Sequence, residues 1–419
     1  MTAASARGHR EPESRRHGMR PLKDLIPFED ALRIATDLVR PIRRTETMPI
    51  LDASRRVAAE DVRAMIDVPS ADRAAMDGYA VVSRDTVRAT RSRPMLLRRL
   101  EVLRAASRPK KRVIKGTCSE VATGSTLPPG ADAVVRVEDT DREGDRVEVF
   151  AAVRRGHHVA ARGSDIRRGS TIVRAGEWLT PAKIGALAAI GRGRVRTFAR
   201  PRVSILATGD EVVPPGRSLR LGQVYDINSN TIASVVRENG GEPVHLGRVT
   251  DRLGPLLAAL RKGLASDLVV CSGGSSVGEK DIVVDAVRSL GDVLFHGIAV
   301  KPGKPTALAR VDGKPVLGMP GFPTSCLSNC YVLLAPMLRR MARLPPDTRT
   351  IVEAPLAVPL IRTPGRMEFH TVRIEEGKAV PAFKESSAIT SMAHADGYIE
   401  IPAEVERLEQ GQKVRVVLF

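Results

Sequence analysis

The chain has 419 residues, 42% of them hydrophobic, enough to bury several cores. Its formal net charge of +18 draws anions, yet only 3% of residues are aromatic, so platforms for stacking bases are scarce and an anionic small substrate fits better than nucleic acid. No run approaches the about eighteen apolar residues of a membrane span, and four scattered cysteines suit neither a disulfide framework nor a zinc knuckle, which makes a reducing cytoplasm the expected setting.

Residues 1–20 hold five arginines, two histidines and little that packs, so they read as a disordered basic tail, with Met19 as an alternative initiator. No signal-peptide core is present there, and Glu11 and Glu13 speak against an organelle-targeting segment. Phe28, Ala31, Leu32, Ala35, Leu38 and Val39 recur at helical spacing before Pro41. From Met76 to about Val153, short β-rich runs separated by Gly and Pro clusters predict a compact β domain. Thr180 caps a helix that starts at Pro181 and stops at Gly191, and strands then alternate with helices to about residue 345. The alternation predicts an α/β domain with a mostly parallel sheet (181–345), and the alternating strands beyond it a small C-terminal β-barrel (346–419).

Within the α/β segment, carboxylates follow apolar runs at glycine-rich turns. Val203-Ser204-Ile205-Leu206-Ala207 precedes Thr208-Gly209-Asp210-Glu211, and Leu268-Val269-Val270-Cys271 precedes Ser272-Gly273-Gly274-Ser275-Ser276-Val277-Gly278-Glu279-Lys280-Asp281. Ligands bind at the carboxyl ends of parallel strands, where helix N-termini and such turns meet. Gly273 and Gly278 have P-loop spacing, but Glu279 stands where the phosphate-binding lysine belongs, which argues against ATP hydrolysis. Ser276 and Glu279 fit a capping box instead. Asp251, after Gly247-Arg248-Val249-Thr250, lies at another strand end; its plain structural role would be to cap the helix over 253–264.

Positive charge follows. Lys301-Pro302-Gly303-Lys304-Pro305 holds two lysines on a proline-stiffened turn suited to a tetrahedral oxyanion, and Gly318-Met319-Pro320-Gly321-Phe322-Pro323 is a second rigid turn before a helix over 324–344. Acidic turns beside basic ones imply a divalent metal and an anion. Cys326 and Cys330 share a face of that helix and read as small core residues rather than soft-metal ligands.

These stretches, with Ala75-Met76-Asp77-Gly78-Tyr79-Ala80, Ala122-Thr123-Gly124, Arg162-Gly163-Ser164-Asp165-Ile166 and Gly222-Gln223-Val224-Tyr225-Asp226, run in the order of the MoeA family, which includes the gephyrin E domain, and the chain resembles its molybdopterin molybdenumtransferases. The resemblance implies a transferase of molybdenum cofactor biosynthesis that cleaves adenylylated molybdopterin, releases AMP and places molybdate on the dithiolene. It also implies an elongated domain in two segments (21–66 and 154–180) around an inserted β domain (67–153), Mg²⁺ as cofactor, a homodimer whose sites draw on two subunits, and contact with the molybdopterin adenylyltransferase. By position, Asp251, Asp77, Asp165 and Glu211 match catalytic residues, and Asp210, Glu211, Asp251 and Asp281 are carboxylates of the type Mg²⁺ takes. Thr123, Ser275, Ser276, Lys301, Lys304, Pro320 and Pro323 match substrate contacts, and Arg366 and Ser387 match residues that face the substrate from the partner subunit.

The chain departs from the family pattern at the anion pocket. Gly297 stands where a further lysine is common, Phe322 replaces a frequent asparagine, Ser164 replaces a frequent glutamate, and Arg73-Ala74-Ala75 precedes Met76 in place of an Asn-Ser pair. These changes spare the acidic set and bear on the choice between molybdate and tungstate. The alternatives are a non-catalytic paralogue or tungstate-preferring scaffold, and a nucleic-acid-associated protein on the same fold.

Overall fold

A computed structural model describes residues 25–273, 282–346 and 349–419. The chain divides into two compact units, one made of 45–197 and one of the residues on either side of it.

The helix α1 (Phe28–Leu38) opens the larger unit. Glu29 and Asp30 favour its positive N-terminal end, and Phe28, Ala31 and Ala35 bury one face. That face enters the core of the α/β region, with Val203, Ile232 and Met337. The expectation that 21–66 forms one segment is corrected here, because this stripe finds its apolar partners outside the 45–197 unit.

The 45–197 unit holds a six-stranded sheet of β1 (Gly78–Val81), β2 (Met95–Leu103), β3 (Thr117–Val121), β4 (Ala133–Arg136), β5 (Thr140–Glu143) and β6 (Arg146–Val149). Its order is β4-β1-β3-β2-β6-β5, and only the β2–β3 pair is parallel. A separate cluster of Ala53, Val62, Ile166, Leu187 and Val195 joins the flanking segments. The helix α2 (Pro181–Ala189) starts as its sequence dictates, with Pro181 in the first turn and the Thr180 hydroxyl accepting from the Lys183 N–H at 3.4 Å. Its Leu187 packs in that same cluster, so α2 closes this unit instead of opening the α/β domain, and the boundary expected at 181 moves to about 198.

The α/β region follows as β7 (Arg202–Thr208), α3 (Asn228–Glu238), β8 (Glu242–Val249), α4 (Leu253–Gly263), β9 (Leu268–Ser272), α5 (Ile282–Arg288), β10 (Asp292–His296), β11 (Val300–Lys301), β12 (Ala307–Val311), β13 (Lys314–Met319), α6 (Pro323–Asn329) and α7 (Ala335–Met341). The sheet order is β8-β7-β9-β13-β12-β10; the first four strands are parallel, and β12 and β10 add antiparallel pairs. Alternate residues serve opposite faces. Val203, Ile205, Leu268 and Val270 pack toward α1, α3 and α7, while Leu206, Val269 and Cys271 pack toward α4 and α5. Burial on both faces explains the unbroken apolar runs of β7 and β9. Between α6 and α7 the helix widens into a π turn at Cys330–Leu334, and Cys326 and Cys330 are buried, free core residues.

The C-terminal sheet comprises β14 (Ile351–Pro355), β15 (Met367–Glu375), β16 (Lys378–Pro381), β17 (Gly397–Ile401) and β18 (Lys413–Leu418). Its order is β11-β15-β17-β18-β14, with β16 on β15. The short β11 comes from the α/β region and pairs in parallel with β15, Val300 opposite Met367 and Lys301 opposite Glu368. Among the described residues no helix is long and apolar enough to cross a membrane.

Candidate functional site

Four parallel strands send their carboxyl ends to one edge of the sheet, and the expected turns meet there. Gly273, after β9, has φ +101°, and a Cβ on it would lie 2.3 Å from the Thr208 carbonyl oxygen, so only glycine lets these two turns approach. A Cβ on Gly321, after β13, would sit 3.7 Å from Gly273 Cα. The buried Asn228 at the start of α3 ties the edge together: its Nδ2 donates to Ser272 Oγ at 2.7 Å and to the Gly321 carbonyl at 2.8 Å. The Asp226 carboxylate accepts from the Ser229 N–H at 2.9 Å, which fixes the entry to the same helix.

Asp210, Glu211 and Asp251 stand exposed at this edge. Arg248 braces the acidic turn, its Nη1 donating to the carbonyls of Gly209 at 3.1 Å and Asp210 at 3.2 Å. Asp251 is not the helix cap: the capping position is Arg252, without a side-chain bond, so the Asp251 carboxylate remains for other work. Its pKa is raised above the ordinary aspartate value, first by partial burial and then by the negative charges of Glu211 and Asp210; the Thr208 side chain and Asp210 backbone act in the opposite sense. The repulsion that Glu211 and Asp210 exert on Asp251 is of the kind a divalent cation would relieve, and Mg²⁺ takes one or two carboxylates alongside substrate oxygens. Among the described residues no three acidic, imidazole or thiol groups converge as a ready-made metal cage. Asp281, Ser275 and Ser276 lie outside the described residues.

The lysine loop lies at the same edge, because Ala307 pairs with Gly318 near the end of β13 and with His296 at the end of β10. Asn329 secures it from within the core, its Nδ2 donating to the Gly303 carbonyl at 2.9 Å and to Thr306 Oγ1 at 2.6 Å. Lys301 Nζ is 3.4 Å from Glu368 Oε1, and Lys304 has no carboxylate within ion-pair reach among the described residues. Gly297, at the position where a lysine is common in the family, has φ +103°, a conformation costly for any side chain, so the absent cation goes with a backbone only glycine adopts readily. Phe322 is exposed on the rim.

Pro320 and Pro323 form that rim, and the C-terminal region folds onto it within one chain. The Thr324 N–H donates to the Ser386 carbonyl at 3.0 Å and its hydroxyl to the Ala388 carbonyl at 2.8 Å, which places Ser387 beside the Pro323 turn. Arg366 precedes β15, next to the Val300–Met367 pair, and its carbonyl accepts from Arg362 Nη2. Arg366 and Ser387, expected to face the site of a partner subunit, are thus held by the β11–β15 pairing and the Thr324 bonds beside the lysine loop and rim of their own chain.

The remaining site residues belong to the 45–197 unit. Asp77 Oδ1 accepts from the Thr123 N–H at 2.6 Å and from its hydroxyl at 2.9 Å, and these bonds, the backbone one first, hold its pKa below the ordinary value. Asp165 is exposed on a loop braced by Asp67, which accepts from the Arg168 N–H at 2.8 Å and Arg162 Nε at 2.7 Å. Asn228, Asn329, Arg248 and Glu368 were missed by sequence reasoning. A signal existed only for Asn329, an amide at core spacing beside Cys326 and Cys330.

Fold and site together define a multidomain α/β protein with carboxylates and lysines at one strand edge. Family models for the MoeA N-terminal region (domains I and II), a probable molybdopterin binding domain and the MoeA C-terminal region (domain IV) match residues 26–191, 204–340 and 353–419. The chain is 32% identical over 394 residues to molybdopterin molybdenumtransferase 2 of Mycobacterium tuberculosis, covering 92% of this chain and 97% of that one. It is 29% identical over 405 residues to molybdopterin molybdenumtransferase of Bacillus subtilis, covering 94% of each. A crystal structure of the molybdopterin biosynthesis MoeA protein of Pyrococcus horikoshii superposes with a TM-score of 0.80 at 38% identity, over 94% of this chain and 99% of that one. The chain belongs to the MoeA family of molybdenum cofactor biosynthesis.

Proposed function

We propose that the protein is a molybdopterin molybdenumtransferase, which inserts molybdate into adenylylated molybdopterin and releases AMP. The observation that carries this reading is the mutually repelling set of Asp210, Glu211 and Asp251 on the same strand edge as Lys301 and Lys304. Since no cage is formed among the described residues, one or two of the carboxylates Asp210, Glu211, Asp251 and Asp281 would hold Mg²⁺ together with substrate oxygens, and the ion when bound would screen charge on the pyrophosphate. Lys301 and Lys304 hold the oxyanion by charge, and Pro320 and Pro323 with Ser387 shape the rim so that the oxyanion is presented in a fixed place. Asp251, unspent on capping, orients the attacking oxygen at the phosphorus. Ser275, Ser276 and, from the C-terminal region, Arg366 are further substrate contacts, as are Asp77, Thr123 and Asp165 of the 45–197 unit.

Other proposals attach to this reading: a homodimer, a cytoplasmic setting, delivery of substrate by the molybdopterin adenylyltransferase, and closure of the C-terminal sheet as a small barrel. Purified protein given adenylylated molybdopterin should release AMP on addition of molybdate and Mg²⁺ together. AMP release unchanged when either is omitted would reject the reading.

A further inference from the structure

We propose that Glu368 is a positioning residue for Lys301, fixing where its ammonium stands at the anion site. This rests on the reading of Lys301 as an anion-binding group. Lys301 and Glu368 are register partners across β11 and β15, so the backbone already brings their side chains to one place. The Glu368 side chain is only 5% exposed, and a carboxylate so buried has to be matched by cations and donors.

Three groups converge on it. Lys301 Nζ lies 3.4 Å and His370 Nδ1 3.0 Å from Oε1, and Arg362 Nε lies 3.2 Å from Oε2. Burial opposes the charged form of Glu368, but His370 and Lys301 outweigh it and hold the carboxyl below its ordinary range. Arg362 and Lys301 bring two positive charges to the one carboxylate, so the cluster keeps one positive charge over, and Lys301, 46% exposed against 4% for Arg362, is the cation that meets solvent. Glu368 thus fixes the location of the ammonium while the cluster stays cationic. The Phe383 ring, 5.9 Å from Nζ, further narrows where the ammonium can go. A lysine on a flexible stem otherwise loses rotamer freedom on meeting an anion; one already tethered has lost it on folding.

Glu368→Gln removes the charge while keeping the shape. Arg362 stays hydrogen-bonded to the carbonyls of Pro402, Val405 and Arg366, so the variant should fold. The test is AMP release titrated with molybdate at fixed Mg²⁺ for the wild type, Glu368→Gln, Lys301→Ala and the double variant. Glu368→Gln should raise the molybdate KM about tenfold with kcat within about twofold, and it should add nothing in the Lys301→Ala background. An equal KM rise in both backgrounds, or none in either, overturns the proposal. An unchanged KM in Lys301→Ala alone sinks the anion-binding reading instead. Should Glu368→Gln unfold, Glu368→Asp, which keeps the charge but draws it back by one methylene, should raise KM about threefold through Lys301 alone, and an unaltered KM there counts against the proposal.

Discussion

Lys301 and Glu368 are 67 residues apart in the chain, yet they face each other in register with Nζ 3.4 Å from Oε1. That contact joins the lysine loop to the C-terminal sheet, so part of the anion site is built by residues outside the α/β region. A chain truncated at residue 345 should fold less stably and hold molybdate more weakly, because it loses Glu368 and leaves Phe28 and Met337 without Phe369. Burial of one aromatic ring is worth about 2–3 kcal/mol, and chemical denaturation of the truncated chain measures the loss.

Asp251→Asn separates catalysis from stability. The carboxyl pKa is raised in the folded chain, so its contribution to stability is fully present below the ordinary aspartate value and is lost as pH rises through the folded one. At neutral pH the ionised group opposes folding, and Asp251→Asn should melt at or above the wild type while losing about a hundredfold or more in turnover. Thermal melts of the two proteins at pH 7 and at pH 4 check the sign: the gap should close at the lower pH. A variant that melts well below the wild type at pH 7 would contradict the repulsion.

Much of this edge was legible in the sequence, for a physical reason. Asp210, Glu211 and Pro320 follow apolar runs that two-sided burial makes continuous, and ligand chemistry collects where such runs end; Asp251 and Lys301 follow half-exposed stretches and were legible from the turns that hold them. What could not be read is which surface an amphipathic stretch covers. The apolar faces of α1 and α2 specify burial without naming a partner, so both were placed with the wrong unit. Asn228 and Glu368 look like ordinary surface residues until long-range pairing buries them.

Asn329 should matter more than a helical amide suggests. Asn329→Ala leaves the Gly303 carbonyl and Thr306 hydroxyl with one donor fewer in a buried place, which should cost about 1–3 kcal/mol and loosen the lysine loop. Urea denaturation gives the first effect and a raised molybdate KM the second. Wild-type stability in this variant would show that the loop holds itself.

The bonds from Thr123 should be visible in the titration of Asp77. Its pKa is lowered, so any stability it contributes is present above the ordinary aspartate value and disappears as pH falls through the folded one. Thr123→Val removes the hydroxyl and keeps the backbone N–H, so the Asp77 carboxyl should titrate at a higher pH than in the wild type while staying below an unperturbed aspartate. Carbon-13 NMR of the labelled side chain follows it, and an identical titration in both proteins would refute the role of the hydroxyl.

With Gly297 and Phe322 in place of more polar residues, the proposed site would hold the oxyanion mainly by Lys301, Lys304 and backbone donors, which discriminate weakly between tetrahedral dianions. Molybdate and tungstate should support AMP release within about tenfold of each other, or about 1.4 kcal/mol. A hundredfold preference for either anion would reject this.

Coupling between AMP release and metal insertion at the acidic edge is the central consequence of the proposed function. The direct measurement is the number of AMP molecules released per molybdenum retained on the pterin, in a single turnover with Mg²⁺. The wild type should give one for one, and Asp251→Asn should lose both products in parallel. Molybdenum retained without AMP release, or AMP released at the wild-type rate by Asp251→Asn, would contradict the assignment of this edge as the reacting centre.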